Sequence, residues 1–426
     1  MSRRNSSSDE GTFDEDKAAS GAEPSSEVEP LSRVESWSEA DASSATGATL
    51  AARLRERIRR EGPLTFREWM RAALYDESGG YYRRCDAVRW GRAGDYRTSA
   101  ERSTLFAATF ARHFTKLYQQ LGSPPVIHLL EAGGGAGHFA RGVLETLRRD
   151  EPQLFGALRY TFDETSPDSR ERAAALLSEF ADRVEFRQAS DFKHPLDAAI
   201  VFTNELLDAM PVNRVHMRAG RLREAYVGTD ASGAFIFIEG EPSTPQLARN
   251  FERMGVTLTE GQAAEINLEA GEWIARIARL VGRGFVVTVD YGDEAAALFG
   301  DQRRRDGTLR AFRGHEIIAD VLSDPGGLDL TATVNWTHVI NEGKAVGLET
   351  ISLERLDNFL MRAGLLEQLE RESAHASSEA ATTALGLDAR EMILPGGMAS
   401  HFQVLTQKKA DDALFGNAGG RWRAEE

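Results

Sequence analysis

The chain has 426 residues, of which 41% are hydrophobic and 27% are charged, and its formal net charge is −15. These proportions are typical of a soluble protein, and no apolar run approaches the ~18 residues that a membrane-spanning helix needs. The acidic balance argues against a nucleic-acid-binding protein, which usually carries a basic surface. The single cysteine, Cys85, excludes an internal disulfide and fits a reducing compartment.

Residues 1–48 are rich in Ser, Glu, Asp, Ala and Gly and contain few large apolar side chains. Such a segment buries too little surface to offset the entropy of ordering it, so we expect a disordered acidic tail. It lacks the apolar core of a secretory signal, and its acidity argues against a mitochondrial transit peptide. We therefore expect a cytoplasmic protein. Residues 411–426 are expected to form a flexible C-terminal tail.

Residues 49–122 are predicted to form a helical extension that precedes the main domain and acts as a lid. Leu50 to Arg60 has the pattern of a basic amphipathic helix. Thr65 with Glu68 is typical of a capping box at the start of a second helix. Ser103 to Leu121 is predicted to be a longer helix.

The segment between these helices carries aromatic and then polar residues. Tyr81 and Tyr82 are interpreted as core residues rather than ligand contacts. A polar, glycine-bearing loop follows, and its small side chains are candidates for hydrogen bonds to a ligand. These candidates are Gly94, Asp95, Thr98 and Ser99.

A glycine-rich turn follows an apolar run that begins at Val126 and ends in the acid Glu131. Phe139 to Leu147 then has the pattern of a helix, so the run is predicted to be a buried parallel strand. Glycines let the backbone turn sharply and approach a ligand, and the N–H groups that open the helix add donors. The candidate binding residues are Glu131, Gly133, Gly135 and Gly137.

The details of this turn separate several ligand classes. The dinucleotide fingerprint needs a third glycine where the chain has His138, which disfavours an NAD(P)-dependent oxidoreductase. A phosphate-binding P-loop would need a Gly-Lys-Ser/Thr sequence, which the turn lacks. An acid before the turn suits a ligand with an amino group and a sulfonium. A glycine-rich turn that binds no ligand stays open as the alternative.

Strands and helices alternate after the turn, which predicts a doubly wound α/β sheet. Ligands in such sheets bind beyond the carboxyl ends of the strands. A predicted strand from Leu158 ends at Glu164, whose carboxylate could accept hydrogen bonds from ribose hydroxyls. A third strand from Val184 ends at Asp191, where an adenine amino group could be met. Arg170 to Phe180 is predicted to be the helix between them.

A fourth strand, Ala198 to Thr203, is followed at once by Asn204, Glu205 and Asp208. The spacing of the two carboxylates would put them on one face if this segment is helical. The alternative is that Asp208 caps a turn. The fifth strand begins at Gly284 and ends in an acid, Asp290, in the same region.

The remaining elements place insertions in a main domain that covers residues 123–410. Val215 to Ile238 alternates as an inserted antiparallel hairpin would. The insertions are predicted at about residues 213–280 and 300–345, and the basic loop 302–307 is interpreted as solvated. The other predicted elements are a helix from Glu265 to Val281, a strand from Asp329 to Trp336, a helix from Leu353 to Ala363 and a closing strand from His401 to Thr406.

Taken together, these motifs resemble the MidA-like family of S-adenosylmethionine (SAM)-dependent methyltransferases. The resemblance runs from about Gly62 to Lys408, and it departs at Gly134 and Ala100, where the family usually has Pro. It rests on these stretches in this order: Leu64-Thr-Phe66 through Gly80-Tyr81-Tyr82, Gly94 to Ser99, Glu131 to Gly137, Asn204 to Val212, Asp290-Tyr291-Gly292, Gly307 to Phe312 with His315, and Asp329 to Val334.

The resemblance implies a class I SAM-methyltransferase (Rossmann-like) fold with SAM as the cofactor and no metal. The family includes a mitochondrial protein-arginine methyltransferase of complex I assembly, so it implies a protein acceptor, an arginine of a complex I subunit or its bacterial counterpart. The glycine turn, with Glu131, would hold the methionine part of SAM, and Glu164 the ribose. Asn204 is a candidate both for binding SAM and for catalysis. The catalytic candidates are Asn204, Glu205, Asp208, Asp290 and His315.

Two alternative functions stay open beside this hypothesis. A non-catalytic assembly factor or chaperone would bind SAM but transfer nothing, and a small-molecule methyltransferase would use a different acceptor. His315 is equally compatible with a structural role. The sequence leaves the oligomeric state open, a homodimer included, and predicts no nucleic-acid partner and no membrane insertion.

Overall fold

A computed structural model describes residues 49–84, 103–314, 316–394 and 396–410, which belong to a unit spanning 47–426. None of the helices in these ranges is both long and apolar enough to cross a membrane. Several sequence predictions lie outside the described residues. They are the two tails, the polar loop with Gly94, Asp95, Thr98 and Ser99, and His315.

The described chain alternates helices and strands, with a short helical extension in front. The α-helices are α1 (Leu50–Glu61), α2 (Phe66–Tyr75), α3 (Thr104–Gln120), α4 (His138–Asp150), α5 (Pro152–Ala157), α6 (Pro167–Leu176), α7 (Gln246–Met254), α8 (Leu268–Leu280), α9 (Ala295–Gly300), α10 (Trp336–Ala345), α11 (Leu356–Ala363), α12 (Leu365–His375) and α13 (Glu379–Ile393). The β-strands are β1 (Leu64–Thr65), β2 (Ile127–Ala132), β3 (Leu158–Asp163), β4 (Val184–Phe186), β5 (Leu196–Asn204), β6 (Asn213–Arg218), β7 (Arg221–Thr229), β8 (Phe235–Gly240), β9 (Ala263–Ile266), β10 (Val281–Asp293), β11 (Arg310–Arg313), β12 (Glu316–Ile317), β13 (Asp329–Thr331), β14 (Val334–Asn335), β15 (Leu348–Arg355) and β16 (Phe402–Lys409).

The central sheet has the order β15-β16-β10-β5-β2-β3-β4, with β14 beside the end of β10. Strands β4, β3, β2, β5 and β10 are parallel, whereas β16 is antiparallel to both of its neighbours. The chain moves outward from β2 in one direction through β3 and β4, and in the other through β5 and β10. The strand order therefore reverses beside β2, which is where doubly wound sheets bind ligands. The predicted fold class is confirmed.

Helices cover both faces of this sheet. Successive residues of a strand point to opposite faces, so each strand packs against helices on both sides. On one face the ring of Phe202 in β5 stacks on Phe139 of α4 at 4.3 Å and packs against Phe110 of α3 at 5.0 Å. On the other face Val201 joins a cluster that contains Trp273 of α8. The run of apolar residues in β5 is thus explained by burial on two sides.

The helical extension and the insertion form a second, antiparallel sheet with the order β1-β7-β6-β9 and β8 beside β7. The predicted hairpin, Val215 to Ile238, covers most of β6, all of β7 and part of β8, so three strands stand where two were predicted. In the extension, the Thr65 capping box is present and starts α2. Phe66, Trp69 and Met70 of α2 share a buried cluster with Val227 of β7. The extension is therefore packed on the insertion through its aromatic face.

Several predicted boundaries were wrong, and side-chain hydrogen bonds explain two of them. Glu265 does not open a helix but lies in β9, where its carboxylate accepts hydrogen bonds from the backbone N–H and hydroxyl of Thr308. The strand predicted from Asp329 to Trp336 is divided into two short strands, β13 (Asp329–Thr331) and β14 (Val334–Asn335). Asn335 ends β14 and also caps α10, its side chain accepting from the N–H of His338.

Two other segments were assigned the wrong structure in part. Residues Leu353 to Arg355 belong to β15, and the helix begins only at Leu356. The predicted third strand ends at Phe186, and Asp191 lies in a single turn of 3-10 helix. The predicted helix from Arg170 begins earlier, at Pro167, with Ser166 as its N-cap.

Candidate active site

A cavity of about 1200 Å³ lies at the carboxyl ends of β2, β3, β5 and β10. Residues at the end of these strands or just after it line the cavity, together with residues from α2, α8 and β13. The position agrees with the expectation for a doubly wound sheet. The predicted site residues that line it are Glu131, Gly133, Gly135, Glu164, Asn204, Glu205 and Asp208.

The glycine turn adopts a backbone that other residues rarely adopt. Gly133, Gly135 and Gly137 have φ angles of +73°, +56° and +85°, which lie in the left-handed region. This explains the G-x-G-x-G spacing. Gly133 and Gly135 line the cavity, whereas Gly137 does not and packs against Ala173, 3.0 Å from where a Cβ would be. Gly137 therefore shapes the turn and caps α4.

Glu131, at the end of β2, is almost fully buried at 4% exposure. Its carboxylate accepts a 2.7 Å hydrogen bond from the hydroxyl of Tyr160. Burial raises the pKa of Glu131 to about 8, the Tyr160 hydrogen bond opposes the shift, and the nearby Glu164 adds to it. The cavity thus presents a carboxyl group that would gain from a cationic ligand.

Glu164 follows β3 and holds the glycine turn in place. Its Oε2 accepts from the N–H of Gly135 at 2.9 Å, and its Oε1 accepts from the N–H of Ser166 at 2.7 Å. The backbone N–H of Thr165 is a third donor to this carboxylate, which has about four acceptor positions, so a ligand hydroxyl can still be received. Burial raises the pKa of Glu164, and these backbone hydrogen bonds lower it.

The structure does not bring Asp191 to the cavity. Its side chain is exposed and accepts from the N–H of Gln188. Asp163 lines the cavity instead, and its Oδ2 accepts from the N–H of Ala189 at 3.0 Å. Trp273 and Arg276 of α8 line it as well. Sequence reasoning missed these two residues, since their spacing is only that of an ordinary helix face.

The segment from Asn204 to Asp208 is a turn rather than a helix, so the one-face argument does not apply. Glu205 has a φ of +52°, unusual for a residue with a side chain, and its N–H donates to the Val289 carbonyl at 2.9 Å. Asn204 Nδ2 donates to Glu205 Oε1 at 2.9 Å. Leu206 then packs on the glycine turn, with its Cδ1 3.0 Å from where a Cβ on Gly133 would be.

Asp290 is fully buried and does not line the cavity. Its Oδ2 accepts from the N–H groups of Leu207 and Asp208 at 3.0 and 3.3 Å, and its Oδ1 from that of Tyr291 at 2.9 Å. Burial, and then the charges of Asp208 and Glu205, hold its pKa well above the ordinary range. Asp290 therefore positions the turn and is not placed to contact a substrate.

Asp208 is 5% exposed and lines the cavity. Burial raises its pKa to about 6, and hydrogen bonds from the Tyr291 side chain and the Ala209 backbone oppose the shift. Its Oδ1 has no hydrogen-bond partner in the described part of the chain. A buried carboxylate oxygen in this state is costly, and a ligand donor would satisfy it.

The helical extension also reaches the cavity, which the sequence did not indicate. Tyr75 and Tyr82 line it. Tyr81 is buried in the core as predicted, and Tyr82 packs against the same core cluster while also lining the cavity. The basic loop 302–307, which was predicted to be solvated, is only partly exposed to solvent. Its Arg304 lines the cavity and forms a 2.5 Å ion pair with Asp293.

Comparisons with known proteins bear on this site. A sequence profile described as an S-adenosyl-L-methionine-dependent methyltransferase family matches residues 109–353. The mitochondrial protein arginine methyltransferase NDUFAF7 homolog of Drosophila melanogaster is 27% identical over 358 residues, covering 78% of this chain and 78% of that protein. Mitochondrial protein arginine methyltransferase NDUFAF7 of Danio rerio is 25% identical over 361 residues, covering 77% of this chain and 79% of that protein.

Two solved structures are similar over most of the chain. A Burkholderia thailandensis protein crystallised with S-adenosyl-homocysteine has a TM-score of 0.74 and 26% identity, covering 84% of this chain and 92% of that one. A native crystal structure of a protein from the same organism gives a TM-score of 0.73 at 26% identity, covering 84% and 91%.

The donor and acceptor groups of the cavity fit SAM. A bend of three glycines lets backbone approach the ligand, the buried Glu131 suits its cationic part, and Glu164 offers acceptors for hydroxyls. SAM is the cofactor of the matched family, and its demethylated product occupies the similar structure. The fold, the family profile and these neighbours agree, and the chain belongs to the MidA-like family of SAM-dependent methyltransferases.

Proposed function

We propose that this methyltransferase modifies an arginine side chain of a protein acceptor. The observation that carries the proposal is the position of Glu205 and Asp208, two carboxylates on one turn that packs against the glycine turn through Leu206. Relatives at 25–27% identity are named protein arginine methyltransferases, which supports the same acceptor class.

Arginine is a demanding acceptor because its guanidinium stays protonated at neutral pH. A carboxylate that accepts guanidinium N–H bonds orients the group and favours loss of a proton from the reacting nitrogen. Bound SAM would supply the methyl group of its sulfonium: the S–CH3 bond breaks, a guanidinium nitrogen takes the methyl group with release of one proton, and S-adenosyl-homocysteine leaves. Asp208, with a pKa raised to about 6, is mostly ionised at neutral pH and can receive that proton before solvent does.

The remaining groups around the turn support this arrangement. Asn204 donates to Glu205, which fixes the direction of that carboxylate. Asp290 accepts hydrogen bonds from the backbone N–H groups of Leu207 and Asp208, which fixes the position of the turn relative to β10. Positioning of this kind supplies much of the rate acceleration in methyl transfer, since little covalent help is needed.

The test is to incubate the purified protein with radiolabelled SAM in a lysate of its own source and to hydrolyse the labelled material. We expect label in methylated arginine of a protein. Label on a small molecule would favour a small-molecule methyltransferase, and SAM binding without any labelling would favour a non-catalytic assembly factor. Label on another side chain would also contradict the proposal.

Two variants sharpen the test. Glu205→Gln and Asp208→Asn should retain SAM affinity in calorimetry but lose at least about a hundredfold in transfer, as removal of a catalytic base usually does. Asp301→Asn is a matched control, because Asp301 does not line the cavity and its carboxylate accepts hydrogen bonds from Arg303. Transfer that persists in both site variants would remove the acceptor role from these carboxylates.

A further inference from the structure

A second group of polar and aromatic side chains lines the cavity, and it is separate from the glycine turn, Glu131 and Glu164. It contains Tyr75 and Tyr82 from the helical extension, Asp208 from the β5–β6 turn and Asp329 from β13. The hydroxyl of Tyr75 donates to the Ala209 carbonyl at 3.0 Å. The hydroxyl of Tyr82 donates to Asp329 Oδ1 at 2.7 Å.

These side chains are held together by backbone and ring contacts. The rings of Tyr75 and Tyr82 lie 5.4 Å apart with an interplanar angle of 31°. The N–H of Ala332, directly after β13, donates to the Asp208 carbonyl at 2.9 Å. Asp208 and Asp329 therefore belong to neighbouring segments, and the two tyrosines join them to the extension.

The charge of this part of the cavity is negative. Three carboxylates line it, those of Asp208, Asp329 and Glu205, against one cation of the adjoining strand, Arg310, which lines the cavity too and pairs in register with Thr331. Burial, and then the carboxylates of Glu269, Asp208 and Asp329, hold the pKa of Tyr75 well above its ordinary value. Tyr75 thus stays neutral, and its environment favours a cation.

Asp208 adds an observation that points to a ligand. Its side chain is 95% buried, being 5% exposed, and its Oδ1 lacks a hydrogen-bond partner among the described residues although it lines the cavity. Buried polar atoms in folded proteins are nearly always paired. A donor on a bound molecule would complete this oxygen.

We propose that Tyr75, Tyr82, Asp208 and Asp329 form a subsite for the guanidinium of the acceptor. This inference rests on the proposed function. A guanidinium is planar and offers N–H donors along its edges, which suit two carboxylates, while its faces suit tyrosine rings. An ammonium is compact and strongly hydrated. It would bind the carboxylates, but it would pack less well than a guanidinium against the tyrosine rings. The subsite thereby selects arginine over lysine.

The probe is methylguanidine, titrated into the full-length protein saturated with S-adenosyl-homocysteine and followed by saturation-transfer NMR, with methylamine as the comparison. We expect saturable binding of methylguanidine and weaker binding of methylamine. Asp329→Asn and Asp208→Asn should each weaken methylguanidine binding at least about tenfold, as loss of a charge-assisted hydrogen bond does. Tyr82→Phe, which keeps Asp329 but removes its donor, should give a smaller loss.

The controls separate the subsite from the fold and from the proposed function. Each variant should keep its affinity for S-adenosyl-homocysteine, and Asp301→Asn should bind methylguanidine as the wild type does. Equal binding in the wild type and both aspartate variants, equal binding of methylamine, or no saturable binding would overturn the subsite. A labelled acceptor residue other than arginine would instead overturn the proposed function, whatever the titration gives.

Discussion

The ring of Phe162 occupies the space that a side chain at Gly134 would need. A Cβ built on Gly134 would lie 2.4 Å from Phe162 Cε2 and 3.1 Å from Glu131 Cδ. Phe162 is 1% exposed, and it lies in β3 directly beside Glu131 of β2. Any side chain at position 134 would therefore have to displace this ring or shift the turn.

We expect Gly134→Ala to weaken SAM binding, because either the ring of Phe162 or the turn must move. The double variant Gly134→Ala/Phe162→Leu should recover part of the affinity, since a smaller side chain leaves room for the new methyl group. Calorimetry on the wild type, both single variants and the double variant measures the coupling. Additive effects of the two substitutions would contradict the steric explanation.

Gly135→Val should abolish detectable SAM binding. Gly135 has a φ of +56° and its N–H holds Glu164, so a β-branched residue disturbs both the turn and the carboxylate. The matched control is Gly156→Ala in α5, where an added Cβ meets nothing within 4 Å. Unchanged affinity in Gly135→Val, with a normal melting temperature, would show that the turn does not hold SAM.

The raised pKa of Glu131 predicts a pH-dependent stability of the SAM-free protein. Its pKa rises from an ordinary 4.5 to about 8, so the folded state holds this proton more tightly than the unfolded state. The resulting stabilisation is complete below pH ~4.5 and is lost as pH rises towards 8, at up to about 1.4 kcal/mol per pH unit. Glu131→Gln, which stays neutral, should become more stable relative to wild type across that range, as thermal melts at successive pH values would reveal.

The same carboxyl group predicts proton release when SAM binds. A cationic ligand favours the ionised form, so binding at pH 7 should expel most of one proton from the wild type and none from Glu131→Gln. Calorimetry in two buffers of different ionisation enthalpy measures this number directly. A wild-type value near zero would place the SAM cation away from Glu131.

Asp290 offers a test of positioning against catalysis. Asp290→Asn keeps an acceptor for the N–H groups of Leu207 and Asp208, so transfer should persist at a reduced rate with an unchanged pH profile. Asp290→Ala leaves these buried donors unpaired and should lower the free energy of unfolding by about 1–3 kcal/mol. Loss of all transfer in the Asn variant, with SAM binding intact, would return Asp290 to the catalytic candidates.

The SAM side of the site could be predicted from the sequence because its signals are local. A buried strand, an acid and three glycines at fixed spacing all lie between Val126 and Gly137, and the next acid follows the neighbouring strand. The requirement for glycine arises from backbone angles within the turn itself. Local patterns of this kind survive without knowledge of the tertiary structure.

The part of the cavity lined by Tyr82 and Asp329 could not be predicted in this way. Tyr82 and its partner Asp329 are 247 residues apart, and no local pattern distinguishes a tyrosine that lines a cavity from one in a core. Asp191 illustrates the converse, since the β4 strand ends early and leaves its acid exposed. The sequence pattern places Glu265 in a helix. Its hydrogen bond with Thr308, which helps to hold it in β9, joins segments distant in sequence and leaves no local signal.

The place of β16 in the central sheet has a consequence for synthesis of the protein. Residues Phe402–Lys409 lie between β10 and β15, and they are the last of the sheet to leave the ribosome. Until they emerge, β10 and β15 each present an unpaired strand edge, which other chains can bind. A chain that stopped before Phe402 would keep both edges open and would be prone to aggregation, even though the glycine turn and the carboxylates around it had been made.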